Sequence, residues 1–289
     1  VIRRRRWAGG SVIRRRRWDV HLISGYNKSR LGYFVLLSAG ELCILKSKKM
    51  KKVLVTGANK GIGYEVARQV AALGHYVYLG IRNPQKGKEA VEKLKQSGIT
   101  TVELLVIDVS SAASVAKAAG ELASKIDELD VLINNAGIAG RQPQNSSQCE
   151  MANLREVFDT NYFGVIQTTQ AMLPLLRKAD LPVIVNVSSE LGSLAMQTSE
   201  GRNPNFDNYH AYGSTKTALN VFTILLAHEF RGTKFRINSV TPGYTATDLN
   251  GFAGFKTPEQ GAQPIVRLAM MGEDGPSGKF FKEDGEVPW

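Results

Sequence analysis

Cysteine is scarce: Cys43 and Cys149 are the only two in 289 residues, too few for a disulfide framework and too far apart for a zinc motif. His21, His75, His210 and His228 are scattered and form no ligand cluster with them, so no metal site is expected. That usage fits a reducing compartment, and a cytoplasmic location is expected. Long apolar runs are missing too. Leu31–Leu45, interrupted by Ser38 and Glu41, falls short of the ~20 residues a helix needs to cross a bilayer. The net charge of +11 invites a nucleic-acid reading, but its distribution argues against one. The first 49 residues hold 13 of the 37 Lys+Arg and 2 of the 26 Asp+Glu, leaving 24 of each sign from Met50 onward. The part that can fold has no charge excess, and no nucleic-acid partner is expected for it.

Residues 1–49 stand apart. Val1–Trp7 reads VIRRRRW and Val12–Trp18 repeats it letter for letter, with Ala-Gly-Gly-Ser between. Such low-complexity sequence has no core to build. The segment is expected to be a basic extension, disordered or not natively translated, with Met50 as the natural start. Two alternatives stay open: a basic arm for anionic surfaces, and a targeting segment. The latter lacks a small-residue cleavage site before Met50, where Lys46, Lys48 and Lys49 stand instead.

From Met50 the pattern alternates. Strands are expected at Lys52–Thr56, Tyr76–Leu79, Thr101–Ile107, Val131–Asn134, Val183–Val187 and Phe235–Val240, with a last one at Gly278–Phe281. Helices are expected over Gly61–Leu73, Pro84–Gln96, Ser111–Ile126, about Glu150–Lys178, the stretch around Tyr212 to Phe230, and Thr257–Met270. Short β-branched strands alternating with helices specify an α/β fold, a doubly wound parallel sheet of Rossmann type, in a single domain over residues 50–289.

Two stretches carry chemistry. The first is Thr56-Gly57-Ala58-Asn59-Lys60-Gly61-Ile62-Gly63, between the first strand and the first helix. Glycines let the backbone approach a pyrophosphate, and the helix N-terminus favours its charge. The spacing is Gly-x-x-x-Gly-x-Gly, and no Gly-Lys-Ser/Thr follows, which excludes a Walker loop. No Asp or Glu occurs from Val66 to Lys88, so nothing at the end of the second strand can hold the ribose 2′-hydroxyl of NAD. Arg82 stands there, and Lys60 lies in the glycine turn, so NADP(H) is expected. The second stretch is Tyr209–Asn220. Tyr212 and Lys216 are four residues apart, and Leu219, Phe222, Leu226 and Phe230 mark a helix. Positions i and i+4 lie ~6 Å apart on one face, so an ammonium is expected beside the phenol, lowering its pKa for proton transfer near neutral pH.

Together, Thr56-Gly57-x-x-x-Gly61-Ile62-Gly63, Asn134-Asn135-Ala136-Gly137, Ser188-Ser189, Tyr212-x-x-x-Lys216 and Pro242-Gly243 resemble the short-chain dehydrogenase/reductase family over Met50 to Trp289. Within it the sequence is most similar to single-domain carbonyl reductases. The resemblance implies Tyr212 as general acid, Lys216 as its partner and ligand of the nicotinamide ribose, and Ser189 as donor to the substrate carbonyl. Ser189 is preferred to Ser188 because it lies three residues before Gly192. The resemblance further implies that Asn161 holds a water relaying protons to Lys216. Asp108 and Val109 would contact adenine, and Asn135, Ala136 and Gly137 would line its ribose. Pro242 and Gly243 would lead into Thr245 and Thr247, which would bond the carboxamide.

The expected reaction is NADPH-dependent reduction of a ketone, aldehyde or quinone. The same groups serve an NADP-dependent alcohol dehydrogenase, and a cofactor-sensing protein without catalysis is a further alternative. A small-molecule substrate is expected, and a homo-oligomer is compatible with the sequence. The loop Gly201–Asn208 should border the substrate pocket. Gly251–Phe255 reads either as an aromatic cover or as a flexible loop, and His210 either as a pocket residue or as an exposed one.

Overall fold

The structure is a computed structural model that describes residues 33–38, 41–46 and 49–289. The chain divides after Lys49 into two units. In the first, strands Tyr33–Ser38 and Glu41–Lys46 pair antiparallel, with Tyr33 opposite Lys46 and Ser38 opposite Glu41. The expectation of disorder covered residues 1–49, most of which, the repeated arginine blocks included, lie outside the described residues. Among the described residues no helix is long and apolar enough to cross a membrane.

The second unit, Met50–Trp289, alternates strand and helix as expected. Its strands are β1 (Lys52–Thr56), β2 (Tyr76–Ile81), β3 (Val102–Val106), β4 (Val131–Asn134), β5 (Val183–Val187), β6 (Arg236–Val240), β7 (Phe280–Lys282) and β8 (Gly285–Glu286). Its main helices are α1 (Gly61–Ala72), α2 (Pro84–Gln96), α3 (Ala112–Lys125), α4 (Met151–Phe158), α5 (Gly164–Leu176), α6 (His210–Glu229) and α7 (Pro258–Ala269). The spatial strand order is β8-β7-β6-β5-β4-β1-β2-β3, parallel from β3 through β7, with only the β7–β8 pair antiparallel.

Strand residues alternate between two cores, because successive side chains point to opposite faces. Val53, Val55, Val131, Ile133, Val183 and Val185 pack with Val66 and Val70 of α1, Leu94 of α2 and Ile265 of α7. Leu54, Leu132, Ile184 and Ile237 pack on the other face with Leu122 of α3, Met172 of α5 and Leu226 of α6. Burial on both faces is what makes these strands read as continuous apolar runs.

Most elements match their expected ends to within two residues; β2 runs on to Ile81, β8 was not expected, and two further differences stand out. The long helix expected over 150–178 is divided into α4 and α5 by a π-helical turn, Asp159–Phe163. A π turn accommodates an extra residue and turns the following side chains. The residue it accommodates best is Asn161, fully buried and bonded to the main chain of Ile138. The last expected strand begins at Phe280 rather than Gly278, because the Gly278 amide turns back to Ile237 O at 2.7 Å.

Candidate active site

The strands β1, β4, β5 and β6 all end at one edge of the sheet, where a cavity of about 850 Å³ opens. The chain winds outward from β1 through β2 and β3, then returns to lay β4 on the other side of β1. The cleft at such a reversal is where doubly wound sheets bind ligands.

One end of the cavity is the glycine turn. Gly57 has φ +68, and a Cβ on it would stand 2.8 Å from Ala136 Cα. A Cβ on Gly63 would stand 2.4 Å from Asn135 Nδ2 and 2.5 Å from Gly57 O. Neither position admits a side chain. Asn135 draws the turn onto β4, its Nδ2 donating to Thr56 O at 2.9 Å and to Gly57 O at 3.3 Å. The Thr56 hydroxyl accepts from the amides of Asn135 and Ala136, at 3.0 and 3.1 Å. No side chain caps α1, so its leading amides are left for an anion. Lys60 pairs with Asp248 at 2.7 Å, with both side chains about half exposed. Arg82 is exposed and has no acidic partner among the described residues.

Every expected cofactor residue lines this one cavity: Gly57, Asn59, Lys60, Gly61, Ile62 and Gly63 in the turn, Arg82 after β2, and Asp108 and Val109 after β3. Asn135, Ala136 and Gly137 follow β4, Tyr212 and Lys216 come from α6, and Pro242, Gly243, Thr245 and Thr247 follow β6. This backbone cradle, with two cations and no acid at the end of β2, fits a dinucleotide that carries an extra phosphate.

At the other end stand Ser189, Tyr212 and Lys216. Tyr212 and Lys216 share one face of α6, as the spacing requires, but their electrostatics correct the sequence expectation. The phenol is not lowered; it is pushed up to about 12, chiefly by burial, with the Ser189 hydroxyl lowering it in part and Tyr209 raising it. Lys216 lies over the Tyr212 ring, its Nζ 5.4 Å from the centroid, and donates to Val187 O at 2.8 Å. The ammonium meets the ring face and a carbonyl rather than the phenolic oxygen. Burial pushes Lys216 itself down to about 8.

Asn161 lies just behind the cavity wall. Its Oδ1 accepts the Ile138 amide at 2.9 Å, and its Nδ2 donates to Ile138 O at 2.9 Å and to Thr215 Oγ1 at 3.1 Å. A Cβ on Gly137 would sit 3.2 Å from Asn161 Oδ1 and 3.8 Å from Lys216 Nζ, so the glycine keeps this corner open. Ser188 is buried and turns its hydroxyl to Lys216 O at 3.4 Å, whereas Ser189 faces the phenol.

Beyond these residues the cavity is lined by Leu191, Met196, Phe206, Tyr209, Leu249 and Phe255. Gly201, Arg202, Asn203, Phe206 and Asn208 of the expected border loop do line the cavity. Phe255 is 80% exposed at the mouth, its ring 6.1 Å from that of Tyr244. His210 is not among the lining residues; its Nδ1 meets Ser146 Oγ at 2.9 Å. Val187 and Ile138, which anchor Lys216 and Asn161, escaped the sequence reading because they act through main-chain atoms that no residue letter encodes.

Comparison with known proteins adds to this geometry. Residues 51–255 match the model of the family described as short chain dehydrogenase. The chain is 35% identical to short-chain dehydrogenase/reductase 1 of Saponaria officinalis, over 82% of this chain and 95% of that one. It superposes on salutaridine reductase from Papaver somniferum with a TM-score of 0.70 and 31% identity, covering 81% of this chain and 99% of that one. For NADPH-bound carbonyl reductase from chicken fatty liver the TM-score is 0.73 and the identity 28%, over 84% of this chain and all of that one. A glycine cradle, a Ser–Tyr–Lys wall and a family match spanning both place the chain in the short-chain dehydrogenase/reductase family of oxidoreductases.

Proposed function

We propose that the protein reduces a carbonyl group of a small molecule (a ketone, aldehyde or quinone) to the alcohol, using NADPH, with Tyr212 as proton donor. The observation that carries this reading is the convergence of the Ser189 and Tyr212 hydroxyls on one wall of the cavity that holds the glycine cradle. When bound, the reduced nicotinamide supplies the hydride. Negative charge then grows on the carbonyl oxygen, and Ser189 and Tyr212 donate hydrogen bonds to it. One such donor typically contributes ~3–4 kcal/mol in the transition state. Tyr212 then releases its phenolic proton to that oxygen.

The remaining residues bind and orient. Gly57, Asn59, Gly61, Ile62 and Gly63 take the pyrophosphate, and Lys60 and Arg82 the 2′-phosphate. Asp108 and Val109 border the adenine, and Asn135, Ala136 and Gly137 its ribose. Pro242, Gly243, Thr245 and Thr247 face the carboxamide. Lys216 holds the nicotinamide ribose hydroxyls, and Asn161 fixes the Gly137–Ile138 corner against it. The relay expected of Asn161 uses the remaining lone pair of its Oδ1. NADPH is supported by the two cations and by similarity to a carbonyl reductase whose structure holds NADPH.

A phenol pushed up to about 12 by burial keeps its proton throughout the physiological range, the form a donor to the carbonyl oxygen requires, while the supply of reduced cofactor and substrate sets the direction of turnover. The test offers NADPH and NADH separately with a panel of aldehydes, ketones and quinones. A clear preference for NADPH is expected, together with a ~10²–10⁴-fold loss of rate in Tyr212→Phe. Parental turnover by Tyr212→Phe would refute the donor assignment, and equal use of NADH would refute the reading of Lys60 and Arg82.

A further inference from the structure

Gln144 is fully buried, yet it belongs to the loop between β4 and α4 and lines no part of the cavity. Its Nε2 donates to Ala139 O at 2.7 Å. Its Oε1 accepts the main-chain amide of Tyr212 at 3.2 Å, and its main-chain carbonyl accepts that of His210 at 3.1 Å. Those two amides belong to the first turn of α6, where intrahelical partners are lacking. The helix brings no side-chain cap of its own, since Tyr209 at the N-cap position makes no capping bond. Gln144 therefore supplies from a separate segment what a Ser or Asp would ordinarily supply in place.

The segment carrying Gln144 is itself fixed. Buried Asn153 of α4 accepts the Arg141 amide and donates to the Arg141 carbonyl, both at 2.8 Å. Gly140 has φ +81, and a Cβ there would stand 2.6 Å from Val157 Cγ2 and 3.0 Å from Gln144 Nε2. Further along, Gln142 Nε2 donates to Asn208 O at 2.9 Å, just before α6 begins.

We propose that Gln144 is a positioning residue for the reaction: a cap supplied from another segment that sets the height and rotation of the first turn of α6, and with it the Tyr212 phenol against Ser189. This rests on the reading of Tyr212 as proton donor. A bland alternative is that Gln144 only satisfies buried amides, in which case its loss lowers stability and leaves turnover of the folded enzyme intact.

Two variants separate these. Gln144→Met keeps the length and removes both side-chain bonds. Gln144→Glu keeps the acceptor for the Tyr212 amide but can donate to Ala139 O only when its carboxyl is protonated. The titratable and charged neighbours are His210 and Tyr212 on α6 and Arg141 on the loop, and the parent enzyme carries all three as the control. For Gln144→Met, kcat is expected to fall at least ~10-fold while the KM for NADPH stays within about twofold, since small displacements of reacting groups are costly. For Gln144→Glu, the ratio of its kcat to the parental value is expected to rise as pH falls, a limb that Gln144→Met lacks. Parental kcat in both variants at every pH would overturn the inference. Should Gln144→Met not fold, the pH limb of Gln144→Glu decides alone, and its absence refutes. Tyr212→Phe is run alongside. If it turns over normally, the donor reading falls and this inference with it; if it is dead while the Gln144 variants match the parent, only the positioning role is wrong.

Discussion

Lys216 is a buried cation whose one hydrogen-bond acceptor among the described residues is a main-chain carbonyl, Val187 O. Its pKa is pushed down from 10.5 to about 8 by burial, so between those values the unfolded chain binds more protons than the folded one. Stability conferred at this position is therefore lowest below pH 8 and rises as pH climbs from about 8 to 10.5. At ~1.36 kcal/mol per pKa unit, the buried charge costs roughly 3 kcal/mol at neutral pH. Lys216→Met should accordingly melt several degrees higher than the parent at pH 7, at ~2–4 °C per kcal/mol for a chain of this size, with most of the gain gone by pH 10. Thermal melts at the two pH values check it; equal melting temperatures at pH 7 would mean the charge is compensated in some other way. The same titration should bend the parental kcat/KM for reduction downward as pH rises through about 8, which a pH–rate profile of the parent checks. The i,i+4 pairing of Tyr212 with Lys216 was legible in the sequence. The direction of the Tyr212 shift was not, because it is set by how much water the fold excludes and by where Nζ turns, and neither is written in the spacing.

The π turn Asp159–Phe163 is the element on which the corner around Gly137 depends. Asn161→Ala would remove the partners of both main-chain groups of Ile138 and one from Thr215. At ~1–3 kcal/mol for each buried polar group left without a partner, a loss of several kcal/mol is expected. Amide hydrogen exchange at Ile138 should accelerate together with the fall in melting temperature. Unchanged exchange at Ile138 would show that the turn is held by something other than Asn161. Most elements were readable from Met50 onward, because strands buried on both faces and amphipathic helices leave different periods in the letters. The π turn left none. A single extra residue inside a continuous helix does not disturb the recurrence of apolar positions such as Val157, Val165 and Met172 enough to be seen. Gln144 was silent for a related reason: its partners are amides of a helix that begins 66 residues later.

Across the whole unit, the residues around the cavity run from Gly57 to Phe255. We therefore propose that residues 50–289 constitute the enzyme and that residues 1–49 are dispensable for turnover. Met50–Trp289 alone should retain kcat/KM within about twofold, since the described residues of the cradle and the Ser–Tyr–Lys wall all fall between Gly57 and Phe255; a tenfold loss on truncation would overturn the assignment. The parallel, doubly wound sheet followed from the strand–helix alternation; the strand order, with its reversal beside β1, was seen only in the structure. The substrate did not follow either, because Leu191, Met196, Phe206 and Phe255 come from the connections after β5 and β6, whose short helical turns and loops take their shape from tertiary contacts. The reversal between β1 and β4 has a consequence for the life of the protein. The cofactor cavity needs the turn after β1 and the segment after β6 together, so a partly made or partly opened chain offers no complete site. On the proposed reading NADPH would be a ligand of the native state alone, and at a hundredfold excess over its dissociation constant it would add ~2.7 kcal/mol to stability. The reduced dinucleotide pool would thus set both the turnover of this enzyme and the fraction of its molecules exposed to proteases at any moment.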